Sequence, residues 1–315
     1  MARAATAERR AAHPPSPLAS LLLQKAEPFL WIGPGLLVFF VFVHLPIILQ
    51  LAMSFASGAP GSGEGLKFVG LANFRTLLAD ADYWASILNN VQFAVATVIG
   101  KLVLALALAL ALNSAFVGQN IFRTIFFLPV ILSFVAIGVI WGFMFQFEFG
   151  AINQLLTRLG LAFLIEDWLG DPRFALWSIV VVDIWKWTGF HMVIYLAGLQ
   201  ALPKDLTEAA SVDGATAWQR LVHITLPLLS RYTATNVIIA TLGAFSVFDL
   251  IYVMTQGGPF GSTQVAMMQV YLQAFQFHRL GYASTQATVL LAIIAIVSIV
   301  VMRLARRPED EETGR

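Results

Sequence analysis

The chain has no cysteine, so it contains no disulfide and no thiolate metal site, and cysteine usage says nothing of the redox compartment. Charge is also scarce: 12% of the 315 residues are Asp, Glu, Lys or Arg, about half of the roughly 25% usual in soluble domains. The formal net charge is only +1, which gives no basis for nucleic-acid binding. No phosphate-cradling G-x-x-x-x-G-K-[ST] pattern occurs, so the chain does not carry the usual ATP site. Its five histidines, at 13, 44, 191, 223 and 278, show no ligand spacing, and no metal site or clustered catalytic triad is present. What fills the space is apolar: 58% of residues are hydrophobic and mean hydropathy is +0.78. That composition belongs in a lipid bilayer.

A helical span needs about 20 mostly apolar residues. Six stretches qualify, at about 29–55, 86–112, 121–147, 174–201, 230–255 and 283–304. The first has Pro34 and Pro46 near its ends. In the second, Leu and Ala alternate from Leu102 to Leu112, a period of two that taken locally reads as a strand. Its length overrides that reading, and the alanines become small residues available for helix packing. Residues 1–28, with Arg3, Arg9, Arg10, Lys25 and the His13–Pro17 stretch, read as a disordered tail rather than a signal peptide. Residues 305–315 read as a second tail. The expected fold is an all-α integral membrane protein with six transmembrane helices.

Lys and Arg in the flanks and loops orient such a protein. Twelve collect on one side: Arg3, Arg9, Arg10 and Lys25, Arg123, Lys204, Arg220 and Arg231, and Arg303, Arg306, Arg307 and Arg315. Five collect on the other: Lys67, Arg75, Arg158, Arg173 and Arg279. The excess puts both termini in the cytoplasm, together with residues 203–229. That polar segment lies between two apolar blocks. Asp205 with Glu208 after Pro203 reads as a capping box, Gly214 as a helix stop, and Thr216 with Gln219 as a second capping box. The second helix is expected to end just before Pro227, because a residue preceding proline avoids the α region. Ala209 and Ala210 leave room for another surface to approach closely.

Lys101 and Lys186 lie within spans, as does Asp183. Ionisable groups there are costly and are functional suspects. In Asp183-Ile-Trp185-Lys186-Trp187-Thr-Gly189-Phe-His191, Asp183, Trp187 and His191 share a helix face, and Asp183 and Lys186 are close enough to pair within the helix. Two readings stand side by side: a structural Asp183–Lys186 pair, or a substrate path in which a carboxylate accepts sugar hydroxyls beside an indole face. No reading of the residues decides the role of Lys101.

The segment Glu208-Ala209-Ala210, three residues, Gly214, nine residues, Ile224-x-Leu226-Pro227, with Asp213 before the glycine, resembles the EAA loop of the membrane subunits of binding-protein-dependent ABC importers. Phe68-Val-Gly-Leu-Ala-Asn73-Phe74, Gly150-Ala-Ile-Asn153-Gln-Leu-Leu, and Gly257-Gly258-Pro259 followed by Thr263 are similar to segments of its carbohydrate-uptake branch, the maltose, lactose and glycerol-phosphate type. The resemblance implies a type I importer permease fold. It has a first helix and outer loop over 29–85 and a core five-helix unit over 86–304. It implies a cytoplasmic coupling helix in which Glu208, Ala209, Ala210, Asp213, Gly214, Ile224, Leu226 and Pro227 dock on an ATPase. It implies substrate contacts at Asp183, Trp187, Gly243, Ala244 and Val247. The last three are small or apolar here, and nearby Phe245, Ser246 and Asp249 are substitutes. Expected partners are a second permease, two ATPase subunits that use ATP and magnesium, and an extracytoplasmic solute-binding protein. The chain binds no cofactor of its own in this reading, is not itself an enzyme, and resides in a bacterial cytoplasmic (inner) membrane. Alternatives are an amino-acid or peptide permease of the same kind, or a stand-alone secondary transporter. The latter predicts internal repeats and broken helices, and neither is visible in the sequence.

Overall fold

A computed structural model describes residues 31–58, 65–114 and 116–305. The N-terminal tail read over 1–28, the glycine-rich centre of the loop after the first span and nearly all of the tail read over 305–315 lie outside these. The chain divides into two compact units, Met1–Ala52 and Met53–Arg315. The described part of the first unit is all but the last residue of helix α1, Trp31–Met53, which contains a π-turn over Phe40–His44. Its large side chains are exposed on every face, from Trp31 to Leu51. An apolar helix without a polar side suits hydrocarbon rather than water.

The second unit begins with a two-residue antiparallel ribbon, Ala56–Ser57 with Lys67–Phe68, and the short helix α2, Ala72–Leu78. Helix α3 spans Ala81–Ala111. Asp80 caps it by accepting a hydrogen bond from the Tyr83 amide at 3.1 Å. Helices α4, Gln119–Ile131, and α5, Phe134–Met144, follow, then α6, Ala151–Arg158, and the long α7, Ala175–Ala201. After residues 203–229 come α8, Ser230–Phe245, α9, Asp249–Met254, and α10, Ala266–Tyr271. The last helix is α11, Leu280–Ala305.

Four helices among the described residues are continuous and apolar enough to cross a membrane: α1, α3, α7 and α11. The expectation of six unbroken spans is corrected at two places. Between α4 and α5 the chain bends by 100°. Leu132 and Ser133 are extended there, and the Ser133 hydroxyl caps the second half by accepting from the Ala136 amide at 3.2 Å. Residues 230–254 are also split, at 246–248. The 16 residues of α8 reach only about 24 Å, short of a hydrocarbon core of about 30 Å. Composition conceals the first break, because the residues around it are as apolar as a helix would need; the second is flanked by Ser246 and Asp249.

The Leu–Ala alternation is helical, as its length required. Ala105 and Ala109 are fully buried and share a stripe with Lys101, while Leu104 faces out. That stripe packs on α7, where Met192, Tyr195 and Leu196 meet it. A second core cluster joins Phe93 of α3, Ile137 of α5, Ile179 and Val182 of α7, Leu250 and Ile251 of α9, and Met268 of α10. At Gly189 the α4 backbone comes so close to α7 that a Cβ would stand 2.0 Å from the Phe126 carbonyl oxygen.

Candidate functional site

The charged residues of the interior sort into partners the sequence did not reveal. Lys101 of α3 forms an ion pair with Asp183 of α7, with both residues almost fully buried. Lys101 thus gains a definite role, and the Asp183–Lys186 pair, one of the two readings of these residues, is corrected. On α7 the two residues are a turn apart, but Asp183 is turned to α3 and Lys186 to the end of α4. The Lys186 ammonium donates to the carbonyls of Pro129 and Val130, each at 3.2 Å, and of Leu132 at 2.6 Å. It also lies 4.7 Å from the Phe134 ring centroid and 5.3 Å from that of Trp187. His191, one turn beyond Trp187, meets Asn236 of α8 at 2.8 Å between Nδ1 and Oδ1. The Asn236 amide donates back to the His191 carbonyl at 3.4 Å, so Oδ1 is the acceptor and Nδ1 carries the hydrogen. These contacts tie α3, α4, α7 and α8 together inside the hydrocarbon, where water is not available to satisfy polar groups.

The five residues expected on a substrate path have different surroundings. Asp183 is committed to Lys101. Trp187 is half-buried between Phe134 and Phe190, at centroid distances of 6.1 and 5.8 Å. Ala244 and Val247 are buried, and the Ala244 carbonyl accepts from the Asn90 side chain at 3.3 Å. Gly243 is exposed, as are Ser246 and Asp249 at the second break. A cavity of about 700 Å³ between α3, α4 and α7 holds none of the five and is lined by apolar side chains such as Leu104, Phe126 and Trp185.

Residues 203–229 form a helix, a glycine stop and a second helix, as the spacing predicts, with two differences. The first helix, Lys204–Val212, has no side-chain cap: Pro203 stands at the capping position and Asp205 falls in the first turn, where its charge complements the helix dipole. Gly214 ends the helix at φ +79°. Its amide donates to the Ser211 carbonyl at 3.2 Å and the Ala215 amide to the Ala210 carbonyl at 2.9 Å, the Schellman pattern. Thr216 and Gln219 do form the capping box, with 2.8 and 3.3 Å hydrogen bonds. The second helix, however, does not stop at Pro227. Ala217–Arg220 runs into a π-turn, Leu221–Thr225, and continues through Leu226–Leu228. The wider turn bonds the Leu226 amide to the Leu221 carbonyl, so the ladder has already changed register where Pro227, lacking an N–H, enters it. Glu208, Ala209, Asp213, Gly214 and Leu226 are exposed, while Ala210, Ile224 and Pro227 are half-buried.

The motifs around Asn73, Asn153 and Thr263 resolve into backbone ties. The Asn73 side chain donates to the carbonyls of Ser54 and Ala56 at 3.1 and 2.9 Å, holding the turn after α1. Asn153 donates to the carbonyls of Phe147 and Glu166 and accepts from the Trp168 indole at 2.7 Å. Thr263 donates to the Gly258 carbonyl at 2.7 Å and meets the Thr255 hydroxyl at 2.8 Å. In the same loop region as Trp168, Arg173 hydrogen-bonds Asp171 and holds its carboxyl below the usual range. Sequence reasoning missed Asn89 and Asn90, which reach from α3 to the backbone at Gly261, Gln264, Ala266 and Ala244. Two adjacent asparagines in an apolar run were the available signal.

These features define a polytopic helical membrane protein with broken spans and a capped helical loop outside the apolar region. The chain belongs to the family of binding-protein-dependent transport system inner membrane components, whose model matches residues 101–309. It is 35% identical over 289 residues to the probable ABC transporter permease protein YurN of Bacillus subtilis, covering 91% of this chain and 98% of that protein. It is 35% identical over 277 residues to the trehalose/maltose transport system permease protein MalF of Thermococcus litoralis, covering 88% and 92%. The fold matches a chain of a bacterial ABC transporter involved in the import of the acidic polysaccharide alginate. The TM-score is 0.80 and the identity 22%, over 91% of this chain and 99% of that one.

Proposed function

We propose that this chain is one of two permease subunits that form an alternating-access path for a sugar or related solute in an ATP-driven importer. The observation that carries the reading is family membership over most of the chain, joined to the exposed, capped 203–229 element. The sugar assignment is supported by the relatives' own substrates: trehalose and maltose for one, lactose for another from Rhizobium radiobacter at 33% identity, and arabinooligosaccharides for a third. Those relatives argue against an amino-acid or peptide permease. The broken helices that the sequence did not show would suit a secondary transporter too, but family membership removes that alternative.

Counting each broken stretch as one crossing gives six, with both termini cytoplasmic as the Lys and Arg distribution requires. Glu208, Ala209, Ala210, Asp213 and Gly214 then offer a small-residue face to an ATPase subunit, and Ile224, Leu226 and Pro227 join that face to α8. ATP and magnesium act in two such ATPase subunits, and an extracytoplasmic solute-binding protein delivers the solute. The path runs past Trp187 and the exposed edge at Gly243, with Ser246 and Asp249 supplying the polar contacts that Ala244 and Val247 lack. Asp183 is paired with Lys101.

The test is purification of the tagged chain from detergent-solubilised membranes. Co-purification of a second permease and an ATPase, with ATP hydrolysis raised by a sugar-loaded binding protein, is the expected result. A chain isolated alone and active in ion-driven uptake would overturn the reading.

A further inference from the structure

Among the described residues Lys186 is a buried cation with no carboxylate at ion-pair distance, because Asp183 is taken by Lys101. Its ammonium has three donors and no acceptor, and all three meet backbone carbonyls at the end of α4. The identity of those carbonyls is informative. In a continuous helix, Pro129, Val130 and Leu132 would give their oxygens to the amides of Ser133, Phe134 and Ala136. The bend abolishes those bonds: Pro129 keeps only a 3.3 Å bond from the Leu132 amide, Phe134 begins a new helix, and the Ala136 amide is given to the Ser133 hydroxyl. In hydrocarbon the freed oxygens of Val130 and Leu132 have no water to turn to. Lys186 therefore replaces the ladder bonds that the break removes.

Three further features fit that role. The carbonyl end of a helix carries the negative pole of its dipole, which suits a cation that lacks a carboxylate. The Phe134 ring, the first residue of α5, lies over the ammonium, so Lys186 touches both halves of the bend. Gly189, three residues on, lets the α4 backbone come near enough for a lysine on α7 to reach it.

The geometry points to Lys186 as the positioning residue that pins the 100° break between α4 and α5. Beyond the break, α5 packs on α9, which follows the second break, and α7 leads directly into residues 203–229. Lys186 is thus a point at which a displacement of α7 reaches the first bend and, through α5, the second broken helix. Its effect on transport rests on the permease reading above; the bend does not.

The chain has no native cysteine, so a single introduced pair reports without background. Spin labels at Ile121→Cys and Phe143→Cys, both exposed, sit on the two halves. Their backbone separation is about 20 Å across a 100° bend and about 33 Å in a straight helix. In the purified transporter, the unsubstituted Lys186 and Lys186→Arg keep the short distance. Lys186→Met raises the extended population at least about tenfold, since each hydrogen bond to a charged group is worth that much or more, and uptake falls with it while the ATPase still co-purifies. A native distance distribution in Lys186→Met overturns the pin. A shifted distribution with native uptake overturns its part in transport. Should Lys186→Met not accumulate, Lys186→Gln has no charge and one donor fewer, and a native distribution there overturns the proposal equally. If no ATPase accompanies even the unsubstituted chain, the permease reading fails, and the distance comparison still decides the pin.

Discussion

At the scale of single residues, the interior charges divide between holding the chain together and lining its surface. Lys101 and Asp183 are both desolvated, so removing one leaves the other charged and unpaired in a medium that cannot solvate it. Breaking such a pair costs about 3–5 kcal/mol, whereas replacing both members with apolar residues is often neutral. Asp183→Asn is therefore expected to lower the melting temperature and yield of the detergent-purified protein, and Lys101→Met with Asp183→Leu to restore both. An unchanged melting temperature in Asp183→Asn, with uptake alone lost, would return Asp183 to the substrate path. At the second break the expectation is reversed. Asp249→Ala touches an exposed carboxylate, so it should leave stability within about 0.5 kcal/mol of the parent and reduce sugar uptake. A stability loss with normal uptake would remove Asp249 from the path.

At the scale of elements, local sequence chemistry and tertiary packing share control. The 203–229 segment was legible because caps and glycine stops are local: Thr216 bonds three residues ahead, and Gly214 alone tolerates φ +79° without strain. Asp205 misled because Pro203 already occupies the capping position. Thr216→Ala should cost about 1 kcal/mol of helix stability, read as faster amide exchange over 217–220. Gly214→Val meets open space, so no clash arises, but a side chain in the left-handed region costs about 1–2 kcal/mol. The chain should still insert and assemble, while ATP hydrolysis ceases to be stimulated by loaded binding protein. Unaltered stimulation would separate this element from coupling. The breaks after α4 and α8 were not legible. Hydropathy is the same on both sides of Leu132 and Ser133, and the bend needs Lys186 from another helix to satisfy its carbonyls.

At the scale of the whole molecule, orientation is the property most directly tested. Val212 and Phe260 are both exposed, on opposite sides of the apolar unit in the proposed topology. A cysteine at Phe260 should react with an impermeant reagent from outside intact spheroplasts, and one at Val212 only in inverted vesicles. Both reacting from the same side would overturn the six crossings and the cytoplasmic placement of 203–229 together.

Composition and apolar run length by themselves determined that this is a helical membrane protein, because hydrocarbon admits only segments that satisfy their own backbone. Fixed spacing in the 203–229 loop and the other loop motifs determined the family, because caps and turns act over a few residues. Tertiary structure alone decided the partners of Lys101, Asp183, Lys186 and His191, and where two spans break. Each of those outcomes depends on groups from different helices meeting in a medium without water, and no local pattern records which helix will stand opposite.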